Sequence, residues 1–208
     1  MKWFRVLLMC CMLAPLAGCG YNAIQSSDED VNAAWSEVLN QYQRRADLVP
    51  NLAATVKGYA SHEERVLTEV ASARARVGSV QVTPETAKDP AALAAFDQRQ
   101  GELSSALSRL MVVSERYPEL KANEGFRDLR TQLEGTENRI AVARGRYIKT
   151  VQHYNVQIRQ FPGVVIARIF GYQPRPNFSV ANEAAISTAP TLDFSAQPSN
   201  ANANAAGQ

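Results

Sequence analysis

Large apolar residues recur along most of this chain at intervals of three, four or seven residues, which is the spacing of one face of an α-helix. Asp28 is a candidate N-cap for the first such segment. Pro50 lies inside the segment, and because proline removes a backbone donor and crowds the preceding turn, we predict a kink or break near Val49. The apolar face comprises Val31, Trp35, Val38, Tyr42, Val49, Leu52, Val56 and Tyr59.

Two further helices have recognisable start signals. Ser61 and Glu64 have the spacing of a capping box, and the helix that they open is predicted to end at Gly78. Asp89 as cap and Pro90 as first residue predict a third helix. Its seam of about four heptads, which must face another helix, comprises Leu93, Phe96, Gln100, Leu103, Leu107, Leu110, Ser114 and Tyr117.

A fourth, longer helix is predicted from about Asn123 to about Gln160, roughly 55 Å at the standard rise per residue. Glu137 and Arg144 lie near its apolar stripe, where polar residues often fix helix register. Residues 117–123 are predicted to be the loop before this helix, and the apolar segment 164–170 to be a capping helix at one end. These patterns predict an all-α fold.

The first 19 residues have the organisation of a bacterial lipoprotein signal. Lys2 and Arg5 precede an apolar run that is too short for the ~20 residues of a spanning helix, and the run ends in Leu16-Ala17-Gly18-Cys19. This pattern predicts removal of residues 1–18 and attachment of diacylglycerol and an N-acyl chain to Cys19, with no other cofactor. The alternative is cleavage by the ordinary signal peptidase, which would give a soluble secreted product.

Removal of the signal would change the charge balance and the cysteine content. Cys10, Cys11, Lys2 and Arg5 would be lost, which leaves 20 basic and 20 acidic side chains and Cys19 as the sole cysteine. A formally neutral chain argues against a nucleic-acid partner and against anionic lipid binding as the main anchor. The membrane is therefore expected to be contacted through the lipid, and the oligomeric state stays open.

Composition divides the remainder into three parts. Residues 19–27 are predicted to be a lipidated tether and residues 28–172 to be the helical domain. Residues 173–208 are rich in Ala, Asn, Ser, Pro and Gln with few large apolar residues, so we predict disorder there, because little surface is available to offset the entropy of ordering.

Two groups of motifs carry a family resemblance. The first reads RRADLVPNL at 44–52, VKGYA at 56–60 and HE at 62–63. The second reads YPELKAN at 117–123, LEGTENRIA at 133–141, YN at 154–155 and FP at 161–162. In their order and spacing these motifs resemble the LemA family over about residues 21–172. Tyr147-Ile148 departs from the usual Tyr-Asn, and the lipidation pattern departs from the uncleaved signal-anchor helix of many members.

The resemblance implies an antiparallel (up-and-down) four-helix bundle with long helices at the bacterial envelope. It implies no reaction. Genes of the family often neighbour genes for membrane metalloproteases, which implies a membrane protease as one candidate partner.

Two polar clusters fall within the motifs, and each has two interpretations. The first, on the first helix, is either a recognition surface or a set of solvated or intramolecular pairs. The second, on the long fourth helix, is either a buried hydrogen-bond network between helices or a binding groove. The clusters comprise Arg44, Arg45, Asp47 and Asn51, and Glu134, Thr136, Glu137, Asn138 and Arg139.

The sequence predicts no catalytic residue and no metal site, because His62 and His153 lie on different helices without a nearby cysteine. The leading hypothesis is a non-enzymatic scaffold or protein-interaction module that binds an unidentified envelope protein. The alternatives are a regulatory partner of a membrane protease and a cryptic hydrolase or metal binder that uses residues 134–139. Because Gly20 is not the aspartate that favours inner-membrane retention, a two-membrane bacterium should place the protein on the outer membrane, facing the periplasm.

Overall fold

The structure, a computed structural model, describes residues 2–79 and 83–178. Within those ranges it contains six α-helices, one short 3-10 helix and no strand, so the all-α prediction is confirmed. The helices are α1 (Lys2–Tyr59), α2 (Glu64–Gly78), the 3-10 helix (Pro84–Ala87), α3 (Pro90–Ser114), α4 (Pro118–Ala122), α5 (Glu124–Arg159) and α6 (Gly163–Phe170).

Side-chain caps fix the starts of the two long helices that follow α2. The Asp89 carboxylate accepts a hydrogen bond of 2.9 Å from the backbone N–H of Ala91, which confirms the predicted start of α3. The side-chain oxygen of Asn123 likewise accepts a hydrogen bond of 2.9 Å from the backbone N–H of Phe126, which confirms the predicted start of α5. Each cap satisfies a backbone donor that has no partner within its helix.

Of the predicted kink or break near Val49, the break is wrong, because α1 continues through Pro50 to Tyr59. Val49 and Leu52 are both buried against other helices. Such tertiary packing contributes more to helix stability than local propensity does, and it holds the helix together across the proline.

Two other local predictions also need correction. Ser61 does not cap α2, which begins at Glu64 after Glu63 without a side-chain cap. The segment predicted to be a loop between α3 and α5 contains the short helix α4, because Pro118 suits the first helical position and Leu120 is buried.

The folded part extends beyond both predicted boundaries. Residues 20–27, predicted to be a tether, belong to α1, and Ile24 and Ser27 are buried there. At the other end, the Arg175 side chain is buried and forms an ion pair of 2.6 Å with Asp28. Residues 179–208 of the predicted disordered tail lie outside the described residues.

Hydrogen bonds between helices give their relative directions. Along α1, Ser27 meets Gln157, Tyr42 meets Arg144 and Tyr59 meets Asn123, so α5 runs antiparallel to α1. In the same way α2 runs antiparallel to α3, because Glu69 pairs with Arg109 and Arg76 pairs with Glu102. The most extensive packing is that of α1 on α5 and of α2 on α3. Among the residues whose side chains the structure describes, which run almost entirely from Gly20 onward, no helix is both long enough and apolar enough to cross a membrane.

The core consists of two apolar clusters that lie one after the other along the helices. The first cluster joins residues 24–42 of α1 to the second half of α5, the start of α3 and helix α6. At its centre the Trp35 ring lies 5.4 Å from Phe96 and 5.5 Å from Tyr147, and burial raises the pKa of the Tyr147 phenol to about 12. The second cluster joins the end of α1 to α2, the second half of α3, α4 and the start of α5.

We expect Gly163→Ala to destabilise the protein by about 1 to 3 kcal/mol. A Cβ at this position would clash with the backbone carbonyl oxygen of Gln157, which cannot move without deforming the end of α5. The measurement is urea unfolding followed by circular dichroism.

Gly145→Ala is the matched control for this prediction. A Cβ at Gly145 would meet no atom within 4 Å, and alanine is the better helix former, so a gain of about 1 kcal/mol is expected. Equal effects of the two substitutions would contradict the close approach at Gly163.

Candidate functional site

A polar layer separates the two apolar clusters. It comprises Arg45 on α1, Gln100 and Ser104 on α3, and Glu137 on α5. On α1 and α5 the layer residue lies between the residues of the two clusters. On α3 Gln100 does so too, and Ser104 follows Leu103, the first residue of the second cluster on that helix. Three of the helices are therefore linked at the same height by polar contacts between two apolar clusters.

The guanidinium of Arg45 is the centre of the layer. Its Nη1 donates to Ser104 Oγ at 2.7 Å and to Glu137 Oε1 at 3.0 Å. Its Nη2 donates to the backbone and side-chain oxygens of Gln100, the former at 3.1 Å. The Tyr42 ring lies beneath it, with 5.0 Å between Cζ and the ring centroid. The planar, always-charged guanidinium can satisfy several such acceptors at once, whereas the ammonium of lysine could not match this fork.

Burial is unequal across the central ion pair. The Arg45 side chain is 1% exposed and that of Glu137 is 41% exposed. Water therefore solvates the carboxylate, while the buried guanidinium depends on its protein acceptors. The Nε of Arg45 is buried without an acceptor among the described residues.

A second polar contact lies next to the layer on the side of the first cluster. Arg144 Nη1 donates to the Tyr42 hydroxyl at 2.9 Å, and the same guanidinium binds both oxygens of Asp97. Burial raises the pKa of Tyr42, although the neighbouring Arg144 lowers it in part. Burial also opposes the charge of Arg144, but hydrogen bonds with Asp97 and Tyr42 raise its pKa overall. A neutral phenol and a charged guanidinium are thus maintained side by side.

Four of the nine predicted cluster residues lie in or beside the polar layer. Arg45 and Glu137 meet directly. Thr136 is buried, donates to the carbonyl of Gln132 at 2.7 Å and accepts from Arg139 Nη2 at 2.9 Å. Arg139 also donates to Gln41 on α1 at 3.2 Å.

The other five predicted residues are exposed. Arg44 and Asp47 do not pair with each other within the described chain, and Asp47 accepts instead from Gln43 at 2.8 Å. Glu134 pairs with Arg130 on the same helix at 2.9 Å. Asn51 and Asn138 also face solvent, as does Arg139, so the structure divides the predicted set into an internal group of Arg45, Thr136 and Glu137 and an external polar surface.

Sequence reasoning missed the α3 side of the layer. Gln100 was recognised as a member of the α3 seam but not as a partner of Arg45, and Ser104 was not singled out. The available signal is Gln100 itself, a polar residue at a seam position between Phe96 and Leu103. Arg45 is likewise a polar residue between apolar positions of α1. A single sequence does not reveal which helix supplies the partner.

Two surface clefts adjoin the layer. One of about 410 Å³ lies between α1, α2 and α3 and is lined by residues that include Tyr42, Arg74 and Gln100. The other, of about 300 Å³, lies between α1 and α5 beside Asn138 and Arg139. Among the side chains that the structure describes, no three His, Cys, Asp or Glu residues are grouped as metal ligands. The polar groups at these clefts can exchange hydrogen bonds with a docked side chain.

We expect Glu137→Gln to lower the free energy of unfolding by about 1 to 3 kcal/mol, because it removes the charge that compensates buried Arg45. Glu134→Gln is the matched control, since its pair with Arg130 is exposed and should contribute no more than about 0.5 kcal/mol. Urea unfolding measures both values, and a similar small effect for each would contradict the central role of the layer.

The fold and the polar layer can now be compared with known proteins. The sequence profile of the LemA family matches residues 34–194. Magnetosome protein MamQ 2 of Paramagnetospirillum magneticum is 26% identical to this chain, and magnetosome protein MamQ of Magnetospirillum gryphiswaldense is 27% identical. Each match covers 74% of this chain and 62% of the relative, so the chain spans less than two thirds of the length of these relatives. Because the family profile matches well over half of its residues, the chain belongs to the LemA family.

Proposed function

We propose that this protein is a lipid-anchored, non-enzymatic scaffold of the bacterial cell envelope. In this proposal, residues 1–18 are removed, Cys19 carries diacylglycerol and an N-acyl chain, and the helical domain binds another envelope protein. In a bacterium with two membranes, the domain is on the outer membrane and faces the periplasm. Helices α1, α2, α3 and α5 form the up-and-down four-helix bundle of the scaffold.

The observation that carries the proposal is the helical continuation of α1 from Cys19, the proposed lipidation site, into the core. Its backbone is helical from Lys2 to Tyr59, and Ile24, five residues after Cys19, is already buried. An anchor at Cys19 would therefore hold a domain of defined orientation. Membership of the LemA family and similarity to proteins named for the magnetosome support a place at a membrane.

An external polar surface supports the scaffold role. Arg44, Asp47 and Asn51 are exposed on α1 while Arg45, between them, is fixed inside the domain. Because the Arg45 side chain is held inside the domain, the backbone of α1 that carries Arg44 and Asp47 is fixed in position. Ordered polar side chains on a rigid helix lose little conformational entropy when a partner binds. The proposed partner surface is therefore the exposed α1 face of residues 44, 47 and 51.

We expect Cys19→Ala to move the protein from the membrane fraction to the soluble fraction, because the side chain that accepts the lipid is gone. Cys10→Ala is the matched control, since that cysteine would be discarded with the signal. Ultracentrifugation of lysed cells followed by immunoblotting gives the distribution. Membrane retention of the Cys19→Ala chain equal to that of the control would overturn the anchor.

The partner surface is tested by cross-linking in intact cells. The double variant Arg44→Glu/Asp47→Arg reverses two exposed charges without changing net charge, and neither side chain forms an ion pair within the described residues. After formaldehyde treatment, the unsubstituted chain is expected to be cross-linked to a specific envelope protein. The double variant should not be, because the charges that complement the partner's surface are reversed.

The control for this experiment is Arg127→Glu/Asp128→Arg, which makes the same exchange at exposed positions near the start of α5. It should capture the same protein as the unsubstituted chain. Equal capture by both double variants would exclude the α1 face as the partner surface, and capture of no specific protein by any form would argue against a scaffold.

A further inference from the structure

Helix α6 lies directly against the part of α1 that follows Cys19. A Cβ on Gly20 would lie 2.5 Å from Ile166 Cδ1, so the two helices are in close contact at that position. One residue further on, the Tyr21 ring lies 4.9 Å from the ring of Phe170. The Cα of Cys19 is only about 3.8 Å from that of Gly20. Helix α6 therefore occupies the end of the domain where the proposed lipid would be attached.

The outer side of α6 is apolar. Ile166 and Ala167 are buried against α1 and α5, but Phe161 is 84% exposed, Val165 48%, Ile169 72% and Phe170 59%. Amphipathic helices on protein surfaces normally turn polar residues outward. We refer to Phe161, Val165, Arg168, Ile169 and Phe170 as the end patch.

Exposed apolar residues elsewhere in the described chain do not form a comparable group on a short helix. Val112 on α3 and Val142 on α5 are 70% and 62% exposed, and each is flanked by polar surface residues. Isolated exposures of this kind are normal, whereas several large apolar side chains on one helix and its approach segment indicate an interaction surface.

The charged side chains of helix α6 and of the segment that leads into it are both positive, and the nearby Asp28 of α1 is paired with Arg175. Residues 20–27 contain no charged side chain, and residues 156–172 contain only Arg159 and Arg168. Both arginines are exposed, and neither forms an ion pair with another described residue. No acidic residue occurs between Glu137 and Glu183 in the sequence. Apolar side chains together with unpaired arginines are complementary to the interface of an anionic lipid membrane.

We propose that the end patch inserts into the headgroup region of the membrane that carries Cys19. The inference rests on the proposed lipid anchor and deepens it by naming a second membrane contact. The lipid chains retain the protein at the bilayer, and the end patch determines the orientation of the domain relative to the membrane. Arg159 and Arg168 lie at the level of the anionic headgroups, while Phe161, Val165 and Ile169 contact the upper acyl chains.

The test places a tryptophan in the end patch and measures its contact with lipid. Full-length protein is purified from the membranes of the expressing bacterium and reconstituted into vesicles of phosphatidylethanolamine and phosphatidylglycerol, with and without brominated acyl chains. Ile169→Trp is compared with Val142→Trp, which changes an exposed valine on α5. The emission of native Trp35 is subtracted with the unsubstituted chain, and circular dichroism confirms that both variants are folded.

We expect bromolipid to quench the indole introduced at residue 169 and to leave the indole at residue 142 unquenched. Protein that floats with the vesicles but shows no quenching at residue 169 would overturn the inference while leaving the anchor intact. If quenching at residue 169 is absent and two copies of the chain cross-link through that residue, the end patch is a dimer interface instead. Protein that does not float with the vesicles would remove the anchor and the inference together.

Discussion

The burial of one guanidinium constrains the whole domain. Arg45 lies between two apolar clusters and must find its acceptors inside the protein, which it does on α3 and α5. If any of these helices slid by one turn, an apolar side chain would replace a polar partner and a buried cation would lose its hydrogen bonds. Such a loss costs several kcal/mol, whereas long apolar seams alone would tolerate the shift more readily. The polar layer therefore selects one register for three helices.

The positions of the long helices could be predicted because they depend on local signals. Asp89 and Asn123 cap α3 and α5 as their sequence context suggests, and the heptad seam of α3 is buried. The exceptions arise where tertiary packing outweighs local preference. Pro50 does not end α1, because the residues around it are held by the second cluster, and residues 20–27 are helical because α5 and α6 cover them.

The candidate site could be predicted only in part, for a related reason. Arg45 and Glu137 are recognisable as unusual polar residues near apolar stripes, but their pairing depends on the lateral arrangement of the helices. The same holds for Arg175, whose contact with Asp28 joins positions 147 residues apart. Its sequence surroundings, rich in proline and polar residues, indicate disorder, and nothing local reveals that an ion pair orders it.

The uninterrupted passage of α1 from residue 19 into the core has a consequence for how related sequences can vary. In a flexible tether, adding or removing one residue changes the reach and little else. In a continuous helix, each added residue turns everything beyond it by about 100° and advances it by about 1.5 Å. The segment between Cys19 and Ile24 is therefore subject to a phase constraint: a single-residue insertion would turn residue 19 and the proposed lipid away from the side that α6 occupies, and only changes near whole turns would preserve the arrangement.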